Sequence, residues 1–295
     1  MTTEVKHIAE SNLRVIVRKD GKNVCYLTSQ IDPTKPILKL VTPLHLDVSL
    51  GNKCSGGCSY CYADSKKDGI YYEHIEEKLI SLISALGDRK PFQIAIGGEC
   101  EPTQHPNFIN FLKTCYDLGI VPNYTTNALK IDENTLKATE DYCGCVGIST
   151  HPHLIKAWKK NLLRFLNIEV NTRLHVIVGE KHSSDYFIEI YKEYYDLVKG
   201  ITILIMRNTG RGSSPDCMEE EFLKTINFLR SNDYEKIALT ELSKPLLLKY
   251  QEETNFLDLP EFEIGTYGGY VILDESYMTI RESSFEIHKI KNILS

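Results

Sequence analysis

From Leu44 to Arg230 the chain alternates short β-rich runs with stretches long enough for a helix, and this alternation limits the fold more than any other feature. The runs are LHLDVSL (44–50), PFQIAIGG (91–98), GIVPNYTTN (119–127), GCVGIST (144–150), IEVNTRLHVIVG (168–179) and GITILIMR (200–207). Helical stretches such as EHIEEKLISLISALG and FINFLKTCYDLG separate them, and CMEEEFLKTINFLR follows the last. Strands alternating with helices imply a parallel sheet wound by right-handed crossovers. Six such units predict an α/β fold, a partial (β/α)6 barrel over residues 41–235, two units short of a closed barrel of eight. In residues 1–40, NLRVIVRKDGKNVCYLT carries two β-rich runs about Asp20-Gly21, a hairpin signal, and IDPTKP then reads as a linker. Residues 236–295 predict a C-terminal extension in which GGYVILDESYMTIRES forms a hairpin.

A 42% hydrophobic content with 25% charged residues is ordinary for a chain that buries one large core. The net charge of -6 supplies no overall attraction to phosphate backbones, so broad binding to nucleic acid or anionic membranes is disfavoured. Neither a signal segment nor a run of roughly 18 apolar residues is present, and a cytoplasmic location is expected. Nine cysteines form an odd set without paired spacings, which favours reduced thiols or metal ligands over a disulfide framework.

Three of them, Cys54, Cys58 and Cys61, lie in DVSLGNKCSGGCSYCYADS, in the loop after the first core strand. Sites in parallel α/β folds are built on the loops at the carboxyl ends of strands, so this motif belongs at the mouth of the barrel. A structural zinc would need a fourth ligand such as His74, but the C-x3-C-x2-C spacing is unlike the usual C-x2-C pairs and the next helix carries His74 away. Ferredoxin-type clusters take four cysteines, whereas this loop supplies three and leaves one iron without a protein ligand.

The loop CSGGCSYC at the start of a βα-repeat core resembles the signature of the radical S-adenosylmethionine (SAM) superfamily. The resemblance implies that Cys54, Cys58 and Cys61 hold a [4Fe–4S] cluster whose fourth iron is chelated by the amino and carboxyl groups of SAM. One-electron cleavage of SAM then yields a 5′-deoxyadenosyl radical that takes a hydrogen atom from the substrate. A one-electron reductant such as flavodoxin or ferredoxin is implied with it. The residue before the third cysteine, Tyr60, would face the adenine with its backbone.

IAIGGECEPTQHPNF is similar to the family's Gly-Gly-Glu segment, whose backbone and carboxylate receive the methionine ammonium. Glycines permit close backbone approach, and a buried ammonium needs an acceptor. Gly97, Gly98 and Glu99 are favoured, and Glu101 competes for the acidic position because GGECEP spreads the motif. By the same resemblance Thr126 and Asn127 lie at the rim of the third strand, and Ser149 of the fourth serves the ribose or the carboxylate. On the fifth strand Asn171, Arg173 and His175 share one face by alternation. An arginine facing the interior needs an anion, and the resemblance makes that the SAM carboxylate, with Arg173 preferred to Asn171 and His175. A structural pairing of Arg173 with a carboxylate such as Glu101 is the alternative. The resemblance also implies that the sixth strand and its glycine-rich exit line the adenine side, with Met206 and Arg207 as the candidates there.

No cysteine follows Cys217 in the sequence, so one cluster is expected. Cys115 continues the helical stripe Phe108, Phe111, Leu112 and reads as core. Cys143 and Cys145 begin the fourth strand, the wrong end for chemistry in this architecture. Cys100 and Cys217 follow strand ends and are candidate hydrogen-atom donors, with a buried bystander the plainer reading of each. An iron–sulfur carrier or sensor would account for the cysteine loop but not for the Gly-Gly-Glu segment or the inward Arg173, which points to an enzyme. A peptide or protein side chain is the leading substrate class, because the N-terminal hairpin offers an edge for strand addition. A nucleotide or other small metabolite is the alternative.

Overall fold

The computed structural model describes residues 2–9, 12–20, 22–35, 44–212, 215–240, 243–250, 268–273 and 278–281. The chain begins with strands β1 (Thr2–Ile8), β2 (Leu13–Asp20) and β3 (Asn23–Gln30), an antiparallel meander in the order β1-β2-β3. The predicted hairpin is β2 and β3, with Asp20 opposite Asn23. Its partner β1 was not apparent from the sequence. Leu13, Val15 and Val17 alternate into the buried face of β2.

The core then runs β4 (His45–Ser49), α1 (Ile75–Leu86), β5 (Gln93–Ile96), α2 (Phe108–Asp117), β6 (Val121–Thr126), α3 (Glu133–Tyr142), β7 (Cys145–Ser149), α4 (Ile155–Phe165), β8 (Asn171–Val178), α5 (Ser183–Tyr194), β9 (Gly200–Ile205) and α6 (Met218–Arg230). All six predicted strands are present. A seventh, β10 (Ile237–Leu239), extends the parallel sheet beyond β9, and α7 (Ser243–Lys249) follows it. The last strands, β11 (Gly268–Leu273) and β12 (Met278–Arg281), form the predicted hairpin. That hairpin is not separate from the barrel. β11 pairs in parallel with β4, giving the order β10-β9-β8-β7-β6-β5-β4-β11-β12. The sheet therefore crosses the expected boundary at residue 235, because the open edge of β4 is covered by strand pairing.

Alternation along each strand gives the sheet two chemically different faces. Ile94 and Ile96, Val146 and Ile148, Leu174 and Val176, and Ile201 and Ile203 point outward. They pack with the helix faces that carry Leu79 and Leu82 of α1, Phe108, Phe111, Leu112 and Cys115 of α2, and Trp158 and Phe165 of α4. Each such side chain contributes about 1.5–3 kcal/mol on burial. The inward residues are half-buried and mostly polar, among them Asn123, Thr125, Ser149, Asn171, Arg173, His175 and Thr202. The concave face is therefore a polar lumen.

The meander docks at the end of this lumen opposite the cysteine loop. A Cβ on Gly144, just before β7, would lie 2.4 Å from the Lys22 carbonyl, and Lys22 Nζ donates to the Glu169 carbonyl at 3.3 Å. The β2–β3 turn thus rests at the amino ends of β7 and β8, at the end of the barrel opposite the mouth.

Candidate active site

The cysteine loop leaves β4 at Ser49, whose hydroxyl donates to the Gly51 carbonyl at 2.9 Å. Backbone bonds from Cys54 N to the Lys66 carbonyl (2.9 Å) and from Lys66 N to the Asn52 carbonyl (3.0 Å) tie the two sides of the loop together. Cys58 is buried, while Cys54 and Cys61 are half-buried. The sulfurs accept N–H groups: Gly56 N and Asn127 Nδ2 reach Cys54 Sγ at 3.4 and 3.5 Å, and Ser65 N reaches Cys61 Sγ at 3.4 Å. Burial, with the nearby charges of Cys54 and Cys61, pushes the Cys58 thiol up to about 12. Burial raises Cys54 as well. A bound metal would therefore displace protons from these thiols.

The donor set fits a cluster better than a single ion. A Cβ on Gly56 would lie 3.4 Å from Cys54 Sγ and 3.7 Å from Cys58 Sγ, so these two thiols flank a space that this residue leaves clear. His74, the fourth ligand a zinc site would require, caps α1 with 71% of its side chain exposed and leans on Glu77. Three thiols in one loop, with His74 turned away, suit a four-iron cluster with one open iron.

A second loop clasps the first. Gly210, after β9, has φ +61°, and a Cβ there would come within 2.4 Å of the Tyr62 carbonyl and 2.6 Å of the Cys61 carbonyl. Only glycine meets both conditions at low cost. The next residue, Arg211, donates its backbone N–H to the Cys61 carbonyl at 2.8 Å. Its guanidinium reaches the Cys58 carbonyl (3.1 Å), the Ser65 carbonyl (2.9 Å) and Asp64 Oδ1 (2.7 Å). Arg207 lies over the Tyr62 ring, 5.4 Å from its centroid.

Other rim groups surround the loop. Tyr60 OH shares a hydrogen bond of 3.0 Å with His151 Nδ1, and its ring meets those of His151 and His153. His153 Nε2 contacts the Gly56 carbonyl at 3.2 Å. Burial, then the neighbouring His153, holds His151 down to about 4, so it stays neutral. The two histidines come from GISTHPH after β7, where only Ser149 had been singled out. Arg211 lies in the glycine-rich exit of β9, and its role was not legible because nothing local links that exit to a loop some 150 residues earlier.

The two acidic candidates have different surroundings. Glu101 is buried, and its carboxylate accepts from Thr103 Oγ1, Thr126 Oγ1 and Asn127 N, each at 2.7 Å, and from Thr103 N at 3.3 Å. It fastens the end of β6 to the turn after β5 and does not pair with Arg173. Glu99 is half-buried beside exposed Gly98, whose φ is +80°. Its charge acts on Tyr62, whose hydroxyl burial pushes up to about 12. Gly97 N donates to the Val48 carbonyl at 3.0 Å.

Thr126, Asn127 and Ser149 lie at or just past strand ends, Asn127 against Cys54, and Met206 is buried just after β9. Asn171 and Arg173 occupy the first and third positions of β8, five or more residues short of its carboxyl end. The structure does not bring them to the rim. Cys100 is buried against Ser49 and Leu50, and burial raises its thiol to about 12. Cys217 is half-buried at the N-cap of α6, its Sγ 3.7 Å from the Gly179 carbonyl. Cys115 and Cys143 are fully buried. No described helix is long and apolar enough to cross a membrane.

Comparison with known proteins agrees with this geometry. A sequence model of the radical SAM superfamily matches residues 48–229. Streptococcus suis SuiB bound to precursor peptide SuiA superposes with a TM-score of 0.66 over 87% of this chain and 64% of that one, at 17% identity. The anSMEcpe structure with bound AdoMet (SAM) gives 0.60 over 85% and 78%, at 16% identity. Over 133 residues the chain is 30% identical to 7,8-dihydro-6-hydroxymethylpterin dimethyltransferase of Methanocaldococcus jannaschii, covering 41% of this chain and 26% of that protein. It thus spans about a quarter of the curated relative and less than two thirds of SuiB.

Proposed function

Because the chain belongs to the radical SAM superfamily, whose enzymes use a [4Fe–4S] cluster and SAM, we propose that Cys54, Cys58 and Cys61 hold that cluster and that the substrate is a peptide or protein side chain. The observation that carries this reading is the three-thiol loop at the carboxyl rim, with N–H groups reaching the sulfurs of Cys54 and Cys61. When bound and reduced, the cluster supplies the electron that cleaves SAM to the 5′-deoxyadenosyl radical.

The protein's own part is to bind and orient. Gly97 and Gly98 bring backbone close to the methionine moiety, and Glu99 accepts its ammonium. Glu101 acts at one remove, since its hydrogen bonds to Thr126 and Asn127 fix the β6 rim. Ser149 offers a hydroxyl to the ribose, the Tyr60 backbone faces the adenine, and Met206 closes that side. The Tyr60–His151–His153 contacts hold the aromatic side chain against the loop. The electron comes from a flavodoxin or ferredoxin. A cytoplasmic setting is in keeping with eight described cysteines that are all free.

The likeness to SuiB with its precursor peptide supports a peptide substrate. The partial match to a pterin dimethyltransferase supports a small metabolite as the second reading. Reconstituted enzyme with dithionite and SAM, offered a peptide library in one arm and a metabolite panel in the other, separates them. The peptide arm is expected to raise 5′-deoxyadenosine above the uncoupled background. A rise confined to the metabolite arm would replace the first reading by the second.

A further inference from the structure

The following inference rests on the radical SAM reading and deepens it by naming a substrate chemistry. We propose that Arg173 anchors a carboxylate group of the substrate near the amino end of the barrel, and that it does not serve SAM.

Arg173 is inward-facing on β8, in register with Gly147 of β7 and Gly200 of β9. Its guanidinium lies across the neighbouring strand: a Cβ on Gly200 would sit 2.5 Å from Nη2 and 2.7 Å from Cζ. On the other side, a Cβ on Gly147 would sit 2.7 Å from the His175 ring. Both flanking strands thus carry glycine where an inward side chain would fill the space around Arg173 and His175. Among the described residues Arg173 has neither a hydrogen bond nor an ion pair, although it is half-buried. A guanidinium withdrawn from bulk water with five donors uncommitted is costly unless an anion meets it.

Position decides against the SAM carboxylate as that anion. Five residues separate Arg173 from Val178 at the end of β8. That is about 16 Å of strand at the usual rise. The side chain also lies sideways over Gly200 and does not rise toward the mouth, whereas the cysteine loop follows the carboxyl end of β4. Charge decides between anions. Burial, then the Arg173 charge itself, holds His175 down to about 4 and so neutral. Burial keeps the neighbouring Cys145 thiol protonated, up to about 11. One fixed positive charge beside two neutral groups, His175 and Cys145, matches a monoanionic carboxylate, which accepts two parallel N–H donors from guanidinium. A phosphate dianion would keep an excess charge in the lumen.

N-acetylglutamate, its neutral counterpart N-acetylglutamine and inorganic phosphate serve as probes, titrated by calorimetry into wild type, Arg173→Gln and Arg173→Lys. Each protein is measured with and without the cluster, and SAM affinity and iron content are measured alongside. N-acetylglutamate is expected to bind wild type tenfold or more tightly than N-acetylglutamine or phosphate. Arg173→Gln should remove that preference and Arg173→Lys should keep part of it, with SAM affinity and iron unchanged in both. Carboxylate affinity equal in wild type and Arg173→Gln would overturn the proposal. So would phosphate binding as tightly as N-acetylglutamate, or a tenfold loss of SAM affinity in Arg173→Gln. Failure of wild type to load a cluster would instead count against the functional reading, since the carboxylate titration is read without it.

Discussion

At the carboxyl rim Arg211 divides its guanidinium among two backbone carbonyls of the cysteine loop and Asp64, while near the amino ends of the strands Arg173 lies over Gly200 with no partner among the described residues. The cysteines divide in the same way. Cys54, Cys58 and Cys61 sit in a loop where backbone and side-chain N–H groups reach two of the sulfurs, whereas Cys115 and Cys143 are sealed in the core with thiols that burial holds protonated. The same residue types take different roles according to what already surrounds them. A group saturated by its own protein acts on structure, and one left open inside a polar lumen waits for a ligand.

The largest expected effect falls on the thiols. Alanine at Cys54, Cys58 or Cys61 is expected to lower iron from near four per chain to background, since a methyl group cannot enter the coordination sphere. Cys115→Ala should leave iron unchanged and lower stability by roughly 1 kcal/mol, the scale of one lost sulfur contact in a packed core. Equal iron loss from the core variant, seen in parallel iron assays and denaturant melts, would erase the distinction between the two groups of cysteines.

The arginines come next. Arg211→Ala removes charge-assisted hydrogen bonds worth about 1.5–3 kcal/mol each when buried, and less here because a third of the side chain is exposed. The cluster of this variant is expected to be stripped by a chelator about tenfold faster than that of wild type, a rate that Arg173→Ala should not alter. A matched acceleration in both variants would mean that Arg173 also supports the loop.

A smaller effect concerns pH. The His175 pKa is depressed in the fold, to about 4 from an ordinary 6.5. Its contribution to stability is therefore present above about 6.5 and is lost as pH falls toward about 4. His175→Asn should flatten the acid limb of a melting-temperature profile across that window, and a bound carboxylate probe should flatten it in wild type. An unchanged profile in the variant would place the acid sensitivity elsewhere.

The smallest expected effect concerns hydrogen return. With Cys100 buried against Leu50, Cys217 is the more accessible candidate donor, and if it returns the hydrogen atom, turnover in deuterated water should place deuterium in the product for wild type but not for Cys217→Ala. Normal product from both Cys100→Ala and Cys217→Ala would exclude either thiol as the donor.

Much of this was legible in the sequence because it is local. The six strands follow from alternation, the cysteine loop from its spacing, and the buried Cys115 from the helical stripe it shares with Phe108, Phe111 and Leu112. What the sequence hides is set by contacts between distant segments. β11 reads as half of an isolated hairpin until its pairing with β4 is seen. Arg211 is unremarkable until Gly210 brings it onto the cysteine loop. Alternation assigns Arg173 to the inner face, but only strand register places it near the amino end, below the rim where a SAM contact was expected. Glu99 and Glu101 compete for one position in GGECEP, and the hydrogen bonds that occupy Glu101 separate their roles.

The central claim is that three thiolates at the rim leave one iron of the cluster open to SAM, and electron paramagnetic resonance of the anaerobically reconstituted, dithionite-reduced enzyme tests it most directly. About four irons and four sulfides per chain are expected, with a reduced-cluster signal whose g-values change when SAM is added. Stoichiometric zinc in place of iron, or a cluster signal indifferent to SAM, would contradict it.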